Sequence, residues 1–153
     1  MIQLDFQIDP SWQSSISAIS AAEADEAALR YRLVLGDVIF HADSVDFSAQ
    51  WGWIPLLDFA WSLEEIANQL RAGSMRQEFE FTESDARINF ISQPDGISIS
   101  ASFVEGTALV GIEELRDAAN DFLIRVMRAA VDSNREFLRN PVFVKYLKQR
   151  PIE

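Results

Sequence analysis

The sequence predicts one α+β domain over residues 1–153, in which an antiparallel sheet of about five to six strands packs against a central helix and a long C-terminal helix. Three observations predict this fold. Segments of alternating apolar and polar residues lie on both sides of a helical segment at residues 51–73, and a second long helical segment begins at Ile112. A chain of 153 residues can bury one sizeable core but not two. This order of strands and helices is typical of α+β domains.

The central helix is the best defined element. Pro55 suits the first helical position, where its missing N–H costs nothing, and Gly73 suits the left-handed residue just past the end. Leu57 and Trp61 project to the side of the helix's apolar stripe, so they need a second surface to cover them, which hints at a partner. The stripe itself consists of residues at three- and four-residue spacing: Leu56, Phe59, Ala60, Leu63, Ile66, Ala67 and Leu70.

The strands before this helix are predicted from alternation. Residues 2–8 alternate Ile, Leu, Phe and Ile with polar residues, which predicts a strand with one buried face. Residues 11–28 fit either a loose loop or a short helix. Residues 29–42 alternate on both sides of a Gly-Asp pair, which predicts a hairpin, and residues 45–51 allow a further edge strand.

Period-two alternation returns after the central helix. Residues 79–81 predict a third region of strand. Residues 88–90 and 97–103 flank the turn sequence Gln-Pro-Asp-Gly at residues 93–96, which predicts a second hairpin. Serines occupy one face of its final strand.

The C-terminal helix is predicted to be apolar over more than one face. It extends from Ile112 to about Phe137, and Asn140-Pro141 ends it before a short terminal helix. Either the terminal helix folds back over the second apolar ridge, or two copies of the chain pair through it as a homodimer. That ridge consists of Leu123, Ile124, Met127 and Val131.

The negative charge is unevenly distributed. The formal net charge is −11, and residues 1–111 hold 5 Lys or Arg against 17 Asp or Glu, whereas residues 112–153 hold 8 against 7. Such a field repels nucleic acid and anionic membranes, so we expect neither as a partner. It would speed encounter with a basic protein. The alternative is that the charge only keeps the domain soluble.

Composition also limits the chemistry and the cellular location. The sequence has no cysteine, which excludes disulfides, thiolate metal sites and a cysteine nucleophile. The N-terminus lacks a basic region followed by an apolar core, and no window holds eighteen uninterrupted apolar residues. We therefore expect a cytoplasmic location.

Candidate catalytic and metal-binding residues are few. His41 is the only histidine, and its spacing from Asp43 suits a hydrogen-bonded pair or half of a metal site. Glu78 and Glu80 share a strand face and could act as acid and base or hold a divalent cation, but their alternation with phenylalanine favours the solvated side of a half-buried strand. Nucleophile motifs and phosphate-binding glycine loops are missing from the sequence. We expect a protein that is not an enzyme, with no catalytic residue, metal or cofactor.

The tryptophans around the central helix suggest a binding surface. Trp51 and Trp53 lead into the helix, and three aspartates lie near them in sequence. Tryptophan anchors supply contact area, while carboxylates steer a basic partner. The alternative is that Trp51 and Trp53 cap the core at the helix entrance and pack against Leu57 and Trp61. The predicted partner-binding residues are Trp51, Trp53, Trp61, Asp43, Asp46 and Asp58.

The charge, the size, the missing catalytic constellation and the strand–helix–strand–helix order resemble small bacterial immunity proteins, the cytoplasmic inhibitors that accompany secreted toxins. The resemblance is one of type over the whole chain, and it implies no particular site residues. It implies that an acidic surface occludes the active cleft of a basic toxin without chemistry of its own. The alternative is a structural or assembly subunit that acts as a homodimer.

Overall fold

A computed structural model describes residues 1–10, 19–82 and 84–149. The first of its two antiparallel sheets holds four strands: β1 (Ile2–Ile8), β2 (Leu35–Ala42), β3 (Val45–Asp46) and β4 (Ala49–Pro55). A short helix, α1 (Glu26–Tyr31), precedes β2. Strand β1 pairs with β2 along its whole length, and β3 and β4 also pair with β2.

The second sheet is a meander in which each strand pairs with the next along the chain. Its strands are β5 (Arg76–Glu80), β6 (Arg87–Gln93), β7 (Gly96–Ala101) and β8 (Val104–Val110). The predicted turn at residues 93–96 is confirmed, because Gln93 and Gly96 are the last cross-strand pair between β6 and β7.

One long helix precedes the second sheet in the chain and another follows it. Helix α2 (Leu56–Arg71) links the two sheets along the chain, and α3 (Ile112–Ser133) follows β8. A 3₁₀ helix (Arg135–Arg139) and a terminal helix, α4 (Pro141–Gln149), complete the described chain. The predicted central, C-terminal and terminal helices are therefore confirmed. However, α3 ends at Ser133 rather than near Phe137, which lies in the 3₁₀ helix instead.

The ends of the central helix follow the predicted chemistry with one difference. Gly73 has a φ of 114° just past the end of the helix, as predicted for a left-handed residue. Pro55 is the residue before the first helical position, and residues 51–53 belong to β4 rather than to the helix. The apolar stripe of α2 is buried as predicted.

Phenylalanines join the second sheet to the helices. Phe59 of α2 has its ring centroid 4.9 Å from that of Phe79 and 5.7 Å from that of Phe122 on α3. Phe6 of β1 contacts Phe122 from the other side, at 5.7 Å. Buried residues from both sheets and all four helices belong to one connected hydrophobic cluster. Edge-to-face ring pairs of this kind add stability beyond the apolar area that they bury.

The prediction of one sheet with five to six strands is wrong, because the described residues form eight strands in two sheets. Alternation identifies a strand but not its partner. Strand β8 was missed because it reads Val-Glu-Gly-Thr-Ala-Leu-Val, in which Ala108 and Val110 are the buried residues. The α+β class and the antiparallel pairing are confirmed.

The predicted hairpin over residues 29–42 is also wrong. Residues 26–31 form α1, whose first turn is capped because the Asp25 carboxylate accepts a hydrogen bond from the backbone N–H of Ala28 at 2.8 Å. Leu29 and Leu33 are both buried, and their four-residue spacing fits a helix as well as a strand. Strand β2 passes through the Gly-Asp pair without turning. Within residues 11–28, the first eight lie outside the described chain.

Two residues of the predicted dimer ridge are covered within the chain. Leu123 and Met127 are buried, and Ile124 and Val131 are half-buried. The terminal helix does fold back, but its ring contact is with α2, where Tyr146 stacks on Trp61 at 4.1 Å between ring centroids. The second surface that Trp61 needs is therefore supplied by the chain itself rather than by a partner.

Candidate functional site

An enlarged bulge in β4 presents Trp51 and Trp53. Between the pairs formed by Gly36 with Ile54 and by Val38 with Ala49, β2 contributes one residue, Asp37, and β4 contributes four, residues 50–53. The Asp37 carboxylate accepts a hydrogen bond from the backbone N–H of Gly52 at 2.7 Å. Gly52 has a φ of 82°, a conformation that costs glycine little. Bulges of this kind re-aim side chains and are common next to functional sites.

The two indole rings on the bulge are stacked and partly open to solvent. Their centroids lie 5.5 Å apart at an interplanar angle of 29°, and the residues are 37% and 36% exposed. Trp51 also packs edgewise against Phe81, which follows β5, and Phe103, which lies between β7 and β8, at 5.1 and 5.3 Å between ring centroids. The bulge therefore fixes the tryptophans between the sheets while it leaves more than a third of each exposed.

Replacing Gly52 with alanine is expected to lower the free energy of unfolding by about 1–2 kcal/mol, because a side chain disfavours positive φ. An added Cβ would meet only the Asp9 carboxylate at 3.9 Å, so the cost comes from the backbone. Urea unfolding monitored by tryptophan fluorescence measures the change in the free energy of unfolding. Gly111→Ala is the matched control, since its φ is −72° and nothing lies within 4 Å of the position that an added Cβ would take. Equal losses in the two variants would show that the positive φ at residue 52 is not the cause of the loss.

An apolar groove of about 600 Å³ begins at Trp53. It is lined by Tyr31, which lies at the end of α1 and is 43% exposed. It is also lined by Leu35 at the start of β2 and Pro55 at the end of β4, which pair with each other. Concave apolar surfaces with a few polar groups are the usual form of binding sites. The charged residues that line the apolar groove are Asp25 and Arg32.

A second, acidic cleft of about 360 Å³ adjoins this groove. Tyr31 and Thr82 line both cavities, so the two are neighbours at these residues. Its acidic lining residues are Asp58, Glu65, Glu78 and Glu80, and neither Lys nor Arg is among the described residues that line it. The apolar groove thus has a negatively charged neighbour.

Two of the six predicted site residues, Asp58 and Trp61, are not surface residues. Asp58 is 5% exposed and accepts a hydrogen bond from the Arg30 guanidinium at 2.8 Å. Trp61 is 3% exposed, its ring stacks on that of Tyr146, and the guanidinium carbon of Arg30 lies 5.3 Å from its ring centroid. Trp61 is predicted to bind a partner because it lies beside the helical stripe, and Asp58 because it is near the tryptophans in sequence. Arg30 of α1 covers Asp58, and Tyr146 of α4 covers Trp61.

The pKa values of Arg30 and Asp58, which form this buried ion pair, are both raised. Burial opposes the charge on Arg30, but its hydrogen bonds and charge interactions with Asp58 and Tyr146 outweigh burial and raise the pKa of the guanidinium. For Asp58, burial is the largest effect and raises the pKa of the carboxyl, although the interactions with Arg30 and Ser62 act to lower it. The pair acts in packing, because Arg30 ties α1 to α2 and α4.

The two other predicted aspartates are exposed, but the strand register separates them from the tryptophans. Asp43 follows β2 with a φ of 56°, so it does not share a strand face with His41 as predicted. Asp46 pairs with His41, four residues along β2 from Asp37, or roughly 13 Å at the usual strand rise. Hydrogen bonds from the Ser48 side chain and backbone lower the pKa of Asp46.

The structure therefore brings together a different set from the predicted one. Trp51 and Trp53 stay in the site, and Tyr31, Leu35 and the carboxylates beside Thr82 join them. Of the residues that line the groove, the sequence predicts only Trp53 as a site residue. Tyr31 was assigned to a strand, and the bond from Gly52 to Asp37 joins residues fifteen apart.

A metal site finds no geometric support among residues 1–10, 19–82 and 84–149. Within these ranges, His, Asp and Glu do not come together in a group of three or more that could hold a metal ion. Glu78 and Glu80 lie in the second sheet, whereas His41 lies in the first and contacts Asp46 at 3.6 Å.

The helices of the described chain are each too short or too polar to cross a membrane.

Comparisons with protein-family models, with curated proteins and with solved structures return no match. The geometry and charge of the described residues therefore carry the functional proposal.

Proposed function

We propose that this protein is a non-catalytic, cytoplasmic binding protein and, most concretely, an immunity-type inhibitor that occludes a basic toxin. The observation that carries the proposal is the pair of exposed, stacked tryptophans, Trp51 and Trp53, held by a hydrogen-bonded bulge. Tryptophan is among the residues that most often dominate binding energy at protein interfaces. A rigid ring pair loses little conformational entropy on binding, so the contact area that it supplies is retained as affinity.

Charge supports a basic partner. The apolar groove beside Trp53 adjoins a cleft lined by the exposed residues Glu65, Glu78 and Glu80, and the chain as a whole carries a net charge of −11. Within the described residues, Glu65 and Glu80 form no ion pair, so their charge is available to a partner. An apolar anchor beside a charged rim gives contact energy together with electrostatic steering.

Replacing Trp53 with alanine is expected to weaken capture of the partner by about thirtyfold or more, the loss typical of an interface anchor worth about 2 kcal/mol. The immobilised protein is incubated with an extract of its native host, and retained proteins are quantified by mass spectrometry. Leu138→Ala is the matched control, because Leu138 is 41% exposed and lies in the 3₁₀ helix, away from the groove lining. Retention of the same proteins at the same level by both variants would contradict the proposed surface.

Toxin inhibition makes a further demand on the captured protein. When that protein is expressed alone in a bacterial host, growth should stop, and coexpression of the wild-type chain should restore it. Coexpression of Trp53→Ala should restore growth less well. A captured protein that is harmless by itself would leave the binding surface intact but would exclude the inhibitory role.

A further inference from the structure

Strand β5 forms one edge of the second sheet, and it lies beside the acidic cleft. Within the described residues it pairs with β6 alone. The cleft is lined by Gln77 and Phe79 from one face of β5 and by Glu78 and Glu80 from the other face. Because residues of both faces line it, the cleft lies at the open edge of the strand.

The hydrogen-bond register shows which backbone groups point into this edge. Phe81 donates its N–H to the carbonyl of Ala86 at 3.0 Å, and Ser92 donates to the carbonyl of Met75 at 2.9 Å. In an antiparallel pair, hydrogen-bonded and outward-facing residues alternate. The odd-numbered residues of β5 therefore bond to β6, and the backbone groups of Arg76, Glu78 and Glu80 point away from it.

One outward group already has a partner within the chain. The Ser74 hydroxyl donates to the Arg76 carbonyl at 3.1 Å, which protects that end of the edge. The backbone groups of Glu78 and Glu80 are directed along the part of β5 that lines the cleft. The opposite lining comes from α2, through Ser62, Glu65 and Ile66.

Resting on the proposed function, we infer that the partner contributes an extended basic segment, which adds as a strand to the outer edge of β5 through the backbone of Glu78 and Glu80. Strand addition uses main-chain hydrogen bonds for affinity and alternate side chains for specificity. Lys or Arg side chains of that segment would meet Glu65 and Glu80, and its apolar end would reach the groove at Tyr31 and Trp53.

The same carboxylates argue against a second copy of this chain as the occupant. In the register that places Glu78 of one molecule opposite Glu80 of the other, a β5–β5 pair would bring carboxylates together, and like charges placed opposite each other destabilise a sheet. Charged residues on an edge strand are a common protection against self-pairing. A basic strand removes this repulsion.

The test uses a displayed library of random heptapeptides, retained on the immobilised protein and sequenced. Peptides with Lys or Arg at alternate positions should be enriched over the input pool. Glu78→Pro should retain them about tenfold less well than Glu78→Ala, because proline also removes the outward N–H and blocks pairing. Proline at residue 78 removes no bond to β6, so the unfolding midpoint should stay close to that of Glu78→Ala. Enrichment of neutral or acidic peptides, or equal retention by the two variants, would overturn the inference.

A second measurement covers the case in which Glu78→Pro does not fold. Amide hydrogen exchange of the wild-type protein with its best-retained heptapeptide should slow at Glu78 and Glu80, and unchanged exchange there would overturn strand addition. The proposed function fails separately. If Trp53→Ala abolishes capture of the native partner while β5 is indifferent to peptides, the binding surface stands and strand addition falls.

Discussion

Replacing Asn140 with alanine is expected to lower the free energy of unfolding by about 3–5 kcal/mol, because the change leaves several buried polar groups without partners. Asn140 is fully buried. Its Nδ2 donates to the carbonyls of Ala21 and Ala24, both at 2.8 Å, and its Oδ1 accepts from the N–H groups of Val142 at 2.9 Å and Phe143 at 3.2 Å. One side chain thus caps α4 and ties it to the segment before α1.

Urea unfolding at equilibrium measures this loss. Asn120→Ala is the matched control, because Asn120 is exposed on α3 and its replacement should change stability by no more than about 0.5 kcal/mol. If the two substitutions cost the same, the buried amide would not be holding the terminal helix. The result bears on function, because α4 supplies the cover of Trp61 that removes this residue from the surface.

Replacing Arg30 with methionine is expected to cost about 3–4 kcal/mol at pH 7, because the Asp58 carboxylate would stay buried without its cation. The Arg30 and Asp58 side chains are only 15% and 7% exposed, so solvent screens the pair little. The Arg30→Met/Asp58→Leu double variant should recover most of the loss, since apolar residues can replace a buried pair at little cost. A double variant no more stable than the single one would contradict this explanation.

The cost of Arg30→Met should depend on pH. Burial already raises the pKa of Asp58 in the folded protein, and removal of the cation raises this pKa further. Between the unfolded pKa of about 3.9 and the higher folded pKa, the folded state binds more protons than the unfolded state. The free energy of unfolding therefore falls as pH rises through this range. Urea unfolding should therefore show a smaller difference from wild type near pH 4 than at pH 7. An equal difference at both values would exclude Asp58 as the cause.

Local periodicity was enough to predict the elements that bury one continuous stripe. Helix α2 has apolar residues at helical spacing and Gly73 at its end, and the β6–β7 hairpin has both alternation and turn residues. Local periodicity was insufficient at Leu29 and Leu33, because their four-residue spacing fits both a helix and a strand. The sequence alone contains no signal that divides eight strands between two sheets, because strand pairing is a non-local choice.

The candidate site shows the same limit. The exposed tryptophans on β4 could be anticipated, since residues of this kind next to a helix entrance stand out in composition. Their bulge could not, because it depends on Asp37, which reaches Gly52 across the strand pair. The prediction for Asp58 and Trp61 fails because helical spacing shows which side of α2 a residue occupies but not which distant segment covers it. Arg30 and Tyr146, at opposite ends of the chain, supply that cover.

Capture of proteins from the native host on the wild-type chain, followed by elution at low and then high salt, decides whether the tryptophan surface binds a basic partner. We predict that a basic protein is retained at low salt, released at high salt and missing from the eluate of a Trp51→Ala/Trp53→Ala variant. Salt should release it because screening weakens attraction between exposed charges. Recovery of the bait alone, with light scattering that shows a dimer, would contradict the proposed function and favour a self-assembling structural role.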